Sequence, residues 1–255
     1  MKKNYDVLEF YKIINELIDL SRLEKTKEKF LDIDIIKEKS ILDRELMLMK
    51  EMIDFYKYDD GLELAGLADI TKMMNSIDII GSYLSVEDLA TLKKNLTIFR
   101  ISKSRAKNVR DKYKTIWNLF SDVEEVREIE NFISEAINDE GILKDDASIG
   151  LRDVRRQKQN INANIKEKFD ELISNKNTQN AIQERIVTQR NDRYVIAVKT
   201  DFKGLVKGIE HDRSATGSTV YIEPLNVVSL NNKLREYEAR EREEIRKILL
   251  RITEI

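Results

Sequence analysis

Cysteine is absent, and proline, histidine and tryptophan occur once each in 255 residues. Without cysteine there is neither a disulfide nor a zinc–thiolate centre, a usage that suits a reducing compartment. One histidine leaves a transition-metal site short of its usual donors. Eight glycines and a single proline force few positions out of a helix. No apolar run reaches bilayer-spanning length, and Met1–Asp6 leads into amphipathic helix instead of the apolar stretch of a signal peptide. Nor does either charge dominate: 45 Lys and Arg oppose 47 Asp and Glu, for a net −2. That balance excludes a wholesale polycation but not local patches. The expectation is a soluble cytoplasmic protein with no membrane partner.

What is present is charge and helical period. Charged residues make up 36% and hydrophobic residues 41%, which suits exposed, elongated helices. Val7, Phe10/Tyr11, Ile14 and Leu17/Ile18 recur at helical spacing, as do Leu42, Leu46, Met49, Ile53 and Tyr56 in a segment ended by Asp59-Asp60-Gly61. Both stripes are expected to face a core. Leu67 to Ile80 predicts a third helix. Ser85-Val-Glu-Asp88 has the form of a capping box, opening a helix expected to reach about Phe120. Val123 to Ile137 predicts another.

Leu151, Val154, Lys158, Ile161, Ile165, Lys168 and Leu172 then alternate three and four apart, a coiled-coil seam with two polar interruptions. Val227, Leu230, Leu234, Tyr237, Glu241, Ile245, Ile248, Ile252 and Ile255 nearly repeat it. At ~1.5 Å per residue, 149–176 and 226–255 each run on the order of 40 Å, two matched helices out and back. Arg251–Ile255 carries no stop signal, so the returning helix is expected to be cut within its run.

Residues 193–224 alone read as β structure. Tyr194, Ile196 and Val198 alternate with Val195 and Ala197, Ser218–Ile222 is again β-branched and aromatic, and Gly204, Gly208 and Gly217 allow bends between them. The expected fold is mainly α: a helical core over 1–144, an outgoing lever helix and linker over 145–192, a small antiparallel β clamp of two or three strands over 193–224, and a returning, truncated lever helix over 225–255.

Catalytic chemistry is not evident. His211 lies beside Asp212 and near Ser214 and Ser218, but ingredients clustered in one turn lack a positioned oxyanion hole. His211 is read as hydrogen-bonding the turn or packing on the sheet. Gly204-x-x-x-Gly208 lacks the Lys-Ser/Thr and helix start of a phosphate loop, and Asp59-Asp60 and Asp145-Asp146 read as capping and solvation. Basic residues carry more. Lys93, Lys94, Arg100, Lys103, Arg105, Lys107, Arg110, Lys112 and Lys114 oppose Asp111 alone, and acids dominate 122–140. Either the two neighbouring segments neutralise each other or the first tracks phosphates. A second set comprises Arg152, Arg155, Arg156 and Lys158 on the outgoing helix, with Arg193, Lys199, Lys203, Lys207 and Arg213 around the sheet.

Arg193-Tyr-Val-Ile-Ala-Val-Lys199, Gly208-Ile-x-His-Asp-x-Ser-Ala-x-Gly217 and Tyr221-Ile-Glu-Pro224, followed by Val227-Val228 and Leu230-Asn-Asn232, resemble the clamp region of bacterial MutS-two proteins, the MutS branch not devoted to mismatch repair. Gly141–Ser148 and Ile186-Val-Thr-x-Arg190 extend the resemblance, and Val7-Leu-Glu-Phe10 resembles the family's usual start. The resemblance implies core, lever and clamp, with an ATPase domain and usually an Smr nuclease domain further on. No Gly-x-x-x-x-Gly-Lys-Ser/Thr occurs in this sequence. ATP and Mg are therefore expected only for the missing ATPase domain, with no cofactor, metal or catalysis here. The implied partner is structured nucleic acid, either branched DNA in suppression of homologous recombination or rRNA of stalled and collided ribosomes, bound by a homodimer in the full-length protein. The second basic set would then contact phosphates, positioning without reading sequence. The alternative is a structural module that dimerises through Leu230, Leu234, Ile245, Ile248 and Ile252.

Overall fold

The computed structural model describes residues 8–255, so Val7 and the start of the first expected stripe lie outside it. The chain divides into two compact units, Met1–Lys144 with Leu249–Ile255, and Asp145–Ile248. Among the described residues the fold is mainly α, with one small antiparallel sheet.

The first unit holds α1 (Phe10–Leu20), α2 (Glu24–Leu31), α3 (Lys39–Tyr58), α4 (Thr71–Ile77), α5 (Val86–Asn108), α6 (Lys114–Asn118) and α7 (Arg127–Ala136). The capping box at α5 forms: Ser85 Oγ accepts from the Asp88 N–H and Asp88 Oδ2 from the Ser85 N–H, each at 3.1 Å. The helix expected to reach Phe120 stops at Asn108 instead. Tyr113 has φ −125 and ψ 74, and its hydroxyl donates to Asp59 at 2.7 Å. Glu51 accepts from the Ile116 N–H at 3.0 Å and from the Thr115 hydroxyl at 3.1 Å. A side chain thus replaces the carbonyls of a continuous helix, and α6 starts afresh. Two other expected helices are shortened to α4 and α7, leaving Val123 and Val126 exposed, and α2 was not expected at all.

The largest departure is α3. Phe55 packs with Ala106, Tyr113 and Ile116, and Leu48, Met52, Trp117 and Phe120 close around them. The stripe expected to be core lies in solvent: Leu42 is 38% exposed, Leu46 53%, Met49 61%, Ile53 59% and Tyr56 48%. Two apolar stripes share this helix. The one containing Phe55 is buried because Glu51 on the same face is satisfied by α6, and because Phe55 meets Tyr113 at 5.5 Å between ring centroids.

The second unit holds α8 (Ile149–Ser174), β1 (Ile182–Arg190), β2 (Arg193–Lys199), a 3₁₀ helix (Thr200–Leu205), β3 (Gly208–Arg213), β4 (Thr219–Pro224) and α9 (Leu225–Thr253), all but the last turn of α9 lying in this unit. The sheet has four strands in the order β1-β2-β4-β3, not two or three, and it begins at Ile182, inside the stretch expected to be a linker. Asn191 and Asp192 join β1 to β2 with φ of 51 and 57, the left-handed pair that a two-residue hairpin turn requires. Ile196 lies opposite Ile222 and Val198 opposite Val220. That face buries against Ile161, Ile165 and Phe169 of α8 and Val227 and Leu234 of α9. The sheet thereby gains the helix packing on its apolar face that independent stability requires.

Candidate nucleic-acid interface

Helices α8 and α9 run antiparallel. Gly150, then Arg155 and Lys158, meet Glu244, then Glu241, and further on Ile161–Phe169 share a core with Leu234 and Val227. The polar interruptions Lys158 and Glu241 are one feature: they pair with each other, and Arg155 Nε donates to the same carboxylate at 2.9 Å while its guanidinium also reaches Asp145. Burial pushes the Glu241 pKa up, but the hydrogen bonds from Lys158 and Arg155 outweigh it and hold the carboxyl below the ordinary glutamate value. The other expected interruption, Lys168, pairs with Glu171 at 2.8 Å, and Phe169 takes the buried position. Buried residues step 161, 165, 169 because a straight helix drifts off a strict 3.5-residue seam.

At the other end β4 passes through Pro224 into α9. Tyr194 pairs with Gln189 of β1 on one edge, and on the edge that β4 leaves at Pro224, Asn231 of α9 substitutes for a strand. Its Oδ1 accepts from the Tyr194 N–H at 3.2 Å, and its Nδ2 donates to the Tyr194 carbonyl at 3.1 Å and to Glu223 at 2.8 Å. Glu223 is fully buried. It accepts from Arg193 at 2.7 Å and lies 2.6 Å from His211 Nε2. Burial raises the Glu223 pKa, yet hydrogen bonds from Asn231, His211 and Arg193 carry it below the ordinary value. His211 occupies the register slip between Glu210 and Asp212, a bulge that aims its ring at Glu223. Ser214 Oγ instead accepts from the Thr219 N–H at 3.1 Å, and Ser218 Oγ lies 2.8 Å from Thr216. The apparent triad is not assembled.

The cations singled out in the sequence therefore differ in what they have left to offer. Arg155, Lys158 and Arg193 are engaged within the unit. Arg213 pairs with Glu210, Lys203 lies 3.7 Å from that carboxylate, and Arg156 lies 3.7 Å from Asp153. Lys199 donates to the Asn180 carbonyl at 3.3 Å. Arg152 and Lys207 are exposed and make no ion pair among the described residues. Arg190 was missed: its guanidinium lies 4.1 Å from the Tyr221 ring centroid and binds Asp212 at 3.1 Å, spanning β1 to β3. The signal available for it was the β-branched run Ile186-Val187-Thr188 before Asn191-Asp192, which places Arg190 at the end of a strand.

In the first unit the basic stretch is partly neutralised by its acidic neighbour. Arg100 binds Glu130 through two nitrogens at 3.1 and 3.0 Å, and Lys93 binds Asp139 at 3.0 Å. Glu130 is held below the ordinary glutamate value, chiefly by the Arg100 hydrogen bond. Arg105 pairs with Glu63 at 3.1 Å and Lys112 with Asp59 at 2.6 Å. Lys94, Lys107, Arg110 and Lys114 are exposed without an ion pair among the described residues. Among the described residues no group of three or more His, Asp or Glu is placed to hold a metal ion, and no helix is long and apolar enough to cross a membrane. Leu234, Ile248 and Ile252, three of the residues that a dimerising seam would use, are already buried within this chain.

No protein-family model matches the chain. It is 46% identical over 254 residues to a protein of Fusobacterium nucleatum subsp. nucleatum named Endonuclease MutS2, covering 100% of this chain and 32% of that protein. Proteins of the same name from Aquifex aeolicus and Alkaliphilus oremlandii are 34% identical over 257 residues and 32% over 253, covering 99% and 98% of this chain and 33% and 32% of theirs. The chain spans about a third of the length of the curated relatives it matches.

Proposed function

We propose, on the premise that this chain belongs to the MutS2 family along its whole length, that Asp145–Ile248 is a non-catalytic clamp for structured nucleic acid. In the whole protein it would be driven by ATP binding in a further domain and would work as a dimer. The supporting observation is that some of these cations are not taken up by the unit's own carboxylates: Arg152 and Lys207 make no ion pair among the described residues, and Lys199 donates to a carbonyl. These sit on an antiparallel helix pair and a sheet that share one core. Such cations contact phosphates, so they give affinity and register without sequence preference. Suppression of recombination on branched DNA and rescue of stalled or collided ribosomes both supply such a polyanion. The relatives are named endonucleases; we assign no hydrolytic role to these residues, whose only histidine is held by Glu223.

Fluorescence anisotropy with branched DNA, blunt duplex and ribosomes tests the reading. Three or four phosphate contacts predict a loss of affinity of roughly 40- to 150-fold between 50 and 200 mM salt. Neutralising Lys199, Lys203 and Lys207 together to glutamine should flatten that dependence. No binding to any of the three at low salt would remove the clamp role.

A further inference from the structure

Phe202 and Leu205 are large apolar residues left in solvent, at 45% and 50% exposure, on the short 3₁₀ helix that follows β2. A 3₁₀ helix has three residues per turn, so side chains at i and i+3 eclipse. Within Thr200–Leu205, Phe202 and Leu205 are spaced so as to share one column. Val206, the extended residue just past the helix, is the one that turns inward, at 3% exposure in the sheet–helix core. Phe202 and Leu205 therefore form one ridge, and Ile209, at the start of β3, is likewise 45% exposed. The ridge is flanked by Lys199, Lys203 and Lys207, against Asp201 alone within 199–208. Lys203 lies 3.7 Å from Glu210, and Lys207 has no ion pair among the described residues.

An aromatic ring among phosphate-seeking cations offers what a duplex backbone does not use. The outer surface of a continuous duplex presents phosphate and sugar, which lysines satisfy alone. Unpaired bases present π faces, and an exposed ring stacks on them regardless of sequence. We infer that Phe202, extended by Leu205, is a base-contacting ridge that makes this sheet prefer unpaired bases, as at a branch point or a loop, over continuous duplex. The inference rests on the nucleic-acid reading above and assigns its preference to residues outside the cationic set.

The test compares the wild-type chain with Phe202→Ala, Phe202→Tyr and Leu205→Ala by anisotropy at one salt concentration. The probes are a DNA fork with two unpaired arms, an RNA stem-loop and a blunt DNA duplex. One stacked base accounts for roughly a tenfold change in affinity. Phe202→Ala should therefore weaken the fork or the stem-loop about tenfold while the duplex changes less than about twofold, and Phe202→Tyr should restore binding. Leu205→Ala should weaken the fork or the stem-loop less than Phe202→Ala does, and all three variants should melt as wild type does, because an exposed side chain contributes little to stability. Equal loss on all three probes, or no loss on fork and stem-loop, overturns the ridge while leaving a purely electrostatic clamp in place. Wild-type protein that binds none of the probes overturns the clamp reading and the ridge together.

Discussion

Glu241→Gln removes the charge to which α8 is tied in the middle of its run. Glu241 is 17% exposed, and its partners Arg155 and Lys158 are 22% and 24% exposed. The site lies between a surface pair, worth up to ~1 kcal/mol, and a buried pair, whose disruption costs roughly 3–5 kcal/mol. Glutamine keeps the shape and one acceptor but leaves two half-buried cations facing a neutral group. Arg155 retains Asp145 as a partner, and Lys158 retains no other ion pair among the described residues. The expected loss is thus about 2 kcal/mol, the size of one charge-assisted hydrogen bond. A single unfolding midpoint blurs this loss, because a two-unit chain need not unfold in one step. Trp117, the only tryptophan, belongs to the first unit, so its fluorescence serves as an internal control. Hydrogen exchange along Leu151–Ile165 should accelerate about 30-fold, with the Trp117 transition unmoved. In a double-mutant cycle, Lys158→Met should cost less in the Glu241→Gln background than in wild type. Unchanged exchange, or strict additivity, would refute the assignment of this triplet as the tie between the helices.

Gly208 is required by close approach: a Cβ there would stand 2.3 Å from the Glu223 carbonyl oxygen and 2.5 Å from Ile222 Cγ2. Gly208→Ala should therefore detach β3 and abolish amide protection in 208–213, at a cost of at least about 2 kcal/mol, read by exchange. On α3, Leu46→Ser should leave the Trp117 transition within ~0.5 kcal/mol of wild type, whereas Phe55→Ala should lower it by roughly 3–5 kcal/mol; the reverse order would put the wrong stripe in the core. Acid should destabilise the second unit. Glu223 and Glu241 are held below their ordinary value, so their contribution is fully present above the unfolded carboxylate pKa of ~4.3 and is lost as pH falls through their depressed folded values. Exchange measured from pH 6 down to pH 3 checks the sign.

Much of this architecture was legible where one signal dominated. The period of 151–172 and 227–252 specified the two long helices, the capping box specified the start of α5, and β-branched alternation specified β2 and β4. The sequence misled where two signals competed. On α3 both 42-46-49-53-56 and 48-52-55 are apolar stripes, and only the tertiary contact of Phe55 with Tyr113 selects between them. The break at Asn108 depends on Glu51, a residue more than fifty positions away, and no local period reports it. β1 was legible in principle from Asn191-Asp192, but one Ile-Val-Thr triplet among polar residues is a weak strand signal. At the candidate interface, cation positions could be read and their availability could not. That Arg155 and Lys158 meet Glu241 follows only once the two helices are laid antiparallel.

The joint between sheet and helix yields a prediction that runs against substitution similarity. Asn231 is 1% exposed and uses its amide in both senses, accepting from the Tyr194 N–H and donating to the Tyr194 carbonyl and to Glu223. Asn231→Ala leaves two backbone groups of β2 unpaired and takes one donor from a buried carboxylate, a loss of roughly 2–6 kcal/mol when each unmet group costs about 1–3 kcal/mol. Asn231→Asp is the smaller change in shape and should be the more damaging. It keeps the acceptor for the Tyr194 N–H, but it has no proton for the Tyr194 carbonyl and sets a second carboxylate against Glu223, where like charges disfavour each other. The expected order of sheet stability by exchange of 193–198 is therefore wild type, alanine, aspartate. The aspartate deficit should shrink as the pH is lowered and one of the two carboxyls takes up a proton. An aspartate variant as stable as alanine at neutral pH, or one indifferent to pH, would mean that Asn231 does not serve Glu223 and that the joint is held by the other contacts between sheet and α9, Arg193 with Asn232 and Arg235 with Asp192 among them.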